Sequence, residues 1–140
     1  MLQQFLVGGG ASLVNISIHA LVMTMVVGVA QTASRRKIRH PSLFLIAVMV
    51  PTVSVLMATH ALEVIVWSLT YSIVDAAPAD ANLVYFAFVN YTTLGYGDVV
   101  PVERWRLLGP MTAMNGVLLF GWSTAVMFEV LRKALALQQR

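Results

Sequence analysis

The stretch Thr92-Thr93-Leu94-Gly95-Tyr96-Gly97-Asp98 decides how the rest of this chain is read. Two glycines alternate with larger residues, and glycine takes backbone angles that a Cβ forbids. Just before it, residues 81–92 (ANLVYFAFVNYT) form an apolar segment of 12 residues. That is too short to cross a bilayer, which needs about 20. Pro78 and Asp80 precede the segment and supply a helix start. A short helix followed by a glycine-bearing, non-helical run reads as a re-entrant loop. Such backbone survives at membrane depth only when protein buries it or it lines a wet cavity.

Moving outward, three longer stretches flank this loop. Residues 5–32 carry no formal charge, residues 42–74 carry one carboxylate, Glu63, and residues 107–130 carry one near the end, Glu129. Each is long enough to span. As a straight helix the second would be roughly 50 Å long. It must therefore tilt, project beyond the bilayer or bend near Pro51. The expected fold is an all-α membrane protein with three transmembrane helices plus a re-entrant short helix and its glycine-bearing loop. Residues 1–41 form an N-terminal helix and basic loop. Residues 42–140 form a second unit: outer helix 42–74, short helix 81–92, loop 93–98 and inner helix 107–131.

Composition agrees. Of 140 residues, 59% are hydrophobic and only 11% charged, against about 25% charged in an average soluble domain. There is no cysteine, which excludes disulfides, thiolate metal sites and cysteine nucleophiles. The net charge of +3 reflects the placement of bases, and no nucleic-acid partner is expected. Arg35, Arg36, Lys37, Arg39, Arg132, Lys133 and Arg140, seven of the nine bases, fall on one side of the three spans. That side should be cytoplasmic. Asp75, Asp80, Asp98 and Glu103 fall on the other. The expected topology has the N-terminus outside and the C-terminus inside. The cluster Arg35, Arg36, Lys37 and Arg39 reads first as a topology signal and, functionally, as an anionic-lipid contact. No cleavable leader is expected at the N-terminus. The ten residues after Val130 leave no attached ligand-binding domain expected. No helix carries arginine at every third position, as a voltage sensor would.

Residues 92–98 closely resemble the selectivity filter of potassium channels. With the preceding short helix, Pro101 and the helix that follows, residues 83–130 look like the pore region of the bacterial two-transmembrane channels. Residues 42–74 fit that family's outer helix, and the N-terminal span is extra. The resemblance implies a potassium-selective channel that conducts K+ passively in a bacterial plasma membrane. It catalyses no reaction and needs no cofactor beyond K+ as the permeant ion. The ion ligands would be the carbonyls of Thr93, Leu94, Gly95 and Tyr96 with the Thr93 hydroxyl, and Gly97 would complete the filter. A potassium ion sheds its water only where rings of carbonyls replace it. One strand cannot surround an ion, so a homotetramer is expected. Thr92 and Asp98 would support the filter. Tyr85 matches the position of an aromatic partner, commonly tryptophan, that braces the acid; a tyrosine in an interfacial belt is the plainer account. Val89 stands where some relatives carry a glutamate. The alternatives are a nonselective cation channel, since Leu94 replaces the more frequent valine, and a non-conducting regulatory or scaffold subunit.

Four further features stand out. Gly116 and Gly121 have a spacing that resembles the family's inner-helix glycines, where one lets the helix bend; close helix packing accounts for them equally. Asn115 either faces a central cavity or bonds between subunits. His60 and Glu63 share a helix face, roughly 16 Å below the outer end of their helix. A charge at that depth is costly. His19, midway along the first span, is a geometric partner. The three form either a pH- or metal-sensitive element or a polar bond pinning the outer helix to the first span or the short helix. A membrane enzyme built on them would need more clustered polar residues than the sequence offers.

Overall fold

A computed structural model describes residues 1–33 and 40–138. The basic cluster Arg35, Arg36, Lys37 and Arg39, with its lipid reading, lies outside the described residues. The elements are α1 (Leu2–Ala33), α2 (Pro41–Ile73), α3 (Leu83–Tyr91), one 3-10 turn (Glu103–Trp105) and α4 (Leu108–Gln138). Among the described residues there is no strand, and three helices are long and apolar enough to cross a membrane. In hydrocarbon every backbone group must be satisfied internally, and helices do this residue by residue.

Local chemistry sets the ends. Pro41 opens α2 behind His40, where a missing N–H costs nothing. Pro51 lies inside α2, which continues through it. α2 stops at Ile73 because Asp75 turns left-handed, with φ 52°. The amide of Ala76 then donates to the Tyr71 carbonyl at 2.9 Å, and that of Asp75 to the Ser72 carbonyl at 3.4 Å. That is a Schellman closure with aspartate where glycine is usual. α3 starts later than Pro78 and Asp80 suggest. The start is set by Asn82, whose side chain accepts from the Tyr85 amide at 3.0 Å, an N-cap. α4 runs about two turns beyond the expected end at residue 131. Glu129 accounts for part of this, pairing with Arg132 at 2.8 Å and Lys133 at 3.2 Å, the helical spacings of three and four.

α1 packs against both α2 and α4, and α3 lies between α2 and α4. The Gln4 side chain accepts from the Leu107 amide at 2.8 Å, so the starts of α1 and α4 lie at the same end. The core has two apolar layers. One gathers Ala11, Val64, Trp67, Tyr71, Phe86 and Leu108. The other gathers Met23, Phe44, Val48, Leu56, Val126 and Val130. Buried polar residues from all four helices lie between them: Asn15, His19, Glu63, Asn115 and Ser123, with Tyr91 closing the α3 side. Lipid is as apolar as leucine, so helix association here leans on close packing and interhelical hydrogen bonds.

Gly116 is one such close packing. A Cβ there would overlap the Tyr91 carbonyl oxygen and stand 3.0 Å from its carbonyl carbon. Both are backbone atoms and yield little. Gly121 has open space within 4 Å in its own chain. Gly116→Ala is therefore expected to destabilise the fold by about 1–3 kcal/mol, the cost of overpacking. Gly121→Ala should leave the stability of the chain near wild type. Thermal unfolding in detergent checks the pair; equal behaviour contradicts the packing account.

Candidate functional site: the glycine-bearing loop and the polar layer beneath it

The short helix α3 delivers the chain to residues 92–98, and its last turn hands over its bonds in order. The Thr92 amide donates to the Phe88 carbonyl at 3.0 Å, Thr93 to Asn90 at 3.0 Å, Leu94 to Val89 at 2.9 Å and Gly95 to Val89 at 3.4 Å. The amides of the loop's first half thus point back at the helix, leaving their carbonyls for the other side. The Thr92 hydroxyl donates to the Phe88 carbonyl at 2.7 Å.

Left-handed residues recur at every second position: Thr93 at φ 60°, Gly95 at 61° and Gly97 at 79°. Sequence indicated the two glycines. It did not indicate Thr93, a β-branched residue for which such an angle is a genuine outlier. Strain of this kind persists only where surrounding structure enforces it, and it clusters at functional sites. In extended chain successive carbonyls point to opposite sides. Alternating the hand of the backbone turns them toward one side. Residues 92–98 are all exposed on the single chain, Tyr96 at 68%.

At the far end of the loop the Tyr85 hydroxyl donates to Asp98 Oδ2 at 2.7 Å. This bond joins the first turn of α3 to the loop's exit. The Asp98 carboxylate beside it holds the Tyr85 phenol above its ordinary value, because ionising it would forfeit the bond and set two negative charges together. The Val102 amide donates to the Ala76 carbonyl at 2.9 Å, tying the chain after the loop to the end of α2.

The polar layer sits behind this loop. His19 Nδ1 lies 2.8 Å from Glu63 Oε1, and His60 Nδ1 lies 3.0 Å from Glu63 Oε2. His19 and Glu63 are fully buried. The Tyr91 hydroxyl donates to Glu63 Oε2 and also lies 2.9 Å from His60 Nδ1. On the opposite side of the rings, His60 Nε2 lies 2.9 Å and His19 Nε2 3.4 Å from Ser123 Oγ. Sequence named His19, His60 and Glu63, and the structure brings them together. It did not name Tyr91 or Ser123. Tyr91 follows α2 by an unpredictable loop, and Ser123 is one small residue in an apolar helix.

Asn115 sits in neither of its expected settings. It is buried within one chain, and its Oδ1 accepts from Asn15 Nδ2 at 3.1 Å and from Trp67 Nε1 at 3.0 Å. Asn15 also donates to the Glu63 carbonyl at 3.2 Å. This residue therefore fastens α4 to α1 and α2 inside the protomer. The reason is α1 itself: a helix lying against α4 covers the face that a two-helix plan would leave free.

A family model described as an ion channel, Ion_trans_2, matches residues 59–133. That is more than half of the 140 residues, and it spans the second half of α2, α3, the loop and most of α4. The chain belongs to this ion-channel family and is an integral membrane protein. α1 lies outside the matched residues. No curated protein and no solved structure matches the chain.

Removing the carboxylate should be severe. Glu63→Ala removes the acceptor shared by His19, His60 and Tyr91, leaving the buried His19 Nδ1 unsatisfied at about 1–3 kcal/mol and a cavity where the carboxylate stood. A loss of at least about 3 kcal/mol is expected in unfolding measurements in detergent. A stability equal to wild type would mean the layer does not hold the helices together.

Proposed function

We propose that the protein is a potassium-selective channel, working as a homotetramer with residues 93–97 of four copies around one axis. The carrying observation is the left-handed backbone at Thr93, Gly95 and Gly97, in a loop whose amides turn back on α3. Carbonyls aimed at one side are what a dehydrated cation requires. The carbonyls of Thr93, Leu94, Gly95 and Tyr96, with the Thr93 hydroxyl, are the ion ligands in this reading. Four copies supply the covering that the exposed loop lacks on one chain. α3 ends at the loop, so the partly negative carbonyl ends of four such helices face the axis and favour a cation in low dielectric. The working setting is a bacterial plasma membrane, with the N-terminus outside and the C-terminus in the cytoplasm. Transport is passive, with no reaction catalysed and no cofactor beyond K+.

Two experiments address this. Reconstituted vesicles with outward K+ or Na+ gradients should pass K+ far faster than Na+. Equal fluxes support the nonselective alternative, and absence of flux supports the scaffold subunit. The second concerns the Tyr85–Asp98 bond. Tyr85→Phe should hasten the decline of K+ current during sustained opening, while Tyr85→Trp, which keeps an N–H donor, should retain it. If the phenylalanine variant decays at the wild-type rate, the bond does not brace the filter.

A further inference from the structure

Beneath the loop lies a ring of groups that an ion path through residues 93–97 does not use. Glu63 closes one side of it and Ser123 the other, with His19 and His60 between. Counting hydrogens shows what the ring accommodates. A neutral imidazole has one N–H and one lone pair, a serine hydroxyl has one hydrogen, and a carboxylate has none. If both imidazoles aim N–H at Glu63, both Nε2 lone pairs face Ser123, whose single hydrogen satisfies one of them. If both aim N–H at Ser123, the two lone pairs of its oxygen accept both, and both Nδ1 lone pairs face the carboxylate. In either arrangement, and in the mixed one, four contacts share three hydrogens, so one contact lacks a hydrogen unless a proton or a metal cation joins the ring.

We propose that His19, His60 and Glu63, with the Tyr91 oxygen as fourth donor, bind a divalent transition-metal ion of the zinc class. One ligand atom from each of His19, His60 and Glu63 lies within 4.8 Å of the others. The Tyr91 oxygen is 2.9 Å from His60 Nδ1 and bonded to Glu63. Ligands about 2.0–2.1 Å from a tetrahedral zinc stand roughly 3.4 Å from one another. The contacts of 2.8 and 3.0 Å therefore open by about half an ångström when the ion enters, and the shorter Tyr91–Glu63 contact opens further as the hydroxyl proton leaves. Two imidazoles, one carboxylate and one phenol suit zinc, cobalt or nickel. They do not suit calcium, which asks for six or more oxygens, or magnesium, which keeps its waters.

The surroundings fit as well. A ligating imidazole commonly donates its other N–H to a fixed acceptor, which sets the tautomer. Ser123 Oγ stands in that place for both rings. Trp122 packs on His19 with ring centroids 5.2 Å apart, and Phe120 on His60 at 4.6 Å, giving an apolar surround. His60 keeps 15% of its side-chain surface exposed, a way in from the surface of the chain. Charge balances when the ion replaces the hydroxyl proton of Tyr91. The Glu63 carboxylate and the resulting phenolate supply two negative charges against two positive, and one proton leaves to solvent. The bound ion would join α1, α2 and the C-terminal residue of α3 directly, one residue before Thr92.

The test uses the full chain in detergent, stripped with chelator and titrated with Zn2+ against a fluorescent chelator, then with Co2+. The expected result is one ion per chain, about one proton released per ion, a raised Tm and the visible absorption of tetrahedral cobalt. His60→Gln should lose the stoichiometric ion. Ser123→Ala, which keeps every ligand, should weaken binding about 10–100-fold. It also serves if His60→Gln does not fold. Folded wild type that binds no stoichiometric metal overturns the proposal, including the case where the imidazoles only take up a proton as pH falls. Binding that is unchanged in both variants overturns it too, and places the metal outside this layer. None of these readouts depends on K+ flux.

Discussion

One carboxylate, placed where a membrane protein can least tolerate it, organises this molecule. Glu63 lies about ten residues below the end of α2, roughly 15 Å along the helix. It is fully buried, and a bare charge there would carry a large desolvation cost. The cost is offset because α1 brings His19, α2 itself brings His60, and α3 brings Tyr91. Ser123 on α4 holds the far edges of both rings. Burial of nonpolar side chains gives little preference for one helix register when lipid is as good a neighbour as protein, outside close contacts such as that of Gly116 with Tyr91. These polar contacts do choose, since a slipped helix would strand a buried partner.

The loop at residues 92–98 depends on that layer. Tyr91, one end of the Glu63 network, is the last residue of α3. Its carbonyl lies against Gly116 of α4 without room for a methyl group. The same residue is thus held by its side chain from one direction and by its backbone from another. The loop that follows starts from a fixed point, as the unfavourable angle at Thr93 requires. The Tyr85–Asp98 bond at 2.7 Å then secures the other end.

Much of this was legible in the sequence. The three spans, the short helix between the last two, the glycines at 95 and 97 and the shared face of His60 and Glu63 all follow from spacing and side-chain type. What was not legible depends on long-range packing. Asn115 and Asn15 are 100 positions apart, and nothing in the period of either helix reports that α1 lies against α4. Ser123 is invisible for the same reason. The start of α3 is less legible, because Pro78 and Asp80 offer one start while Asn82 makes the cap. Thr93 is legible as a ligand by resemblance, but its left-handed angle is not, because a β-branched residue argues against it; the bonds of Leu94 and Gly95 back to Val89 account for it.

The most direct measurement is an experimental structure of the protein in lipid with K+ present. Four copies around one axis are expected, with density on that axis level with the carbonyls of Thr93 to Tyr96. The density should weaken or redistribute when Na+ replaces K+. An assembly whose symmetry axis passes elsewhere, or residues 93–96 facing lipid or solvent in the assembled protein, would contradict the account.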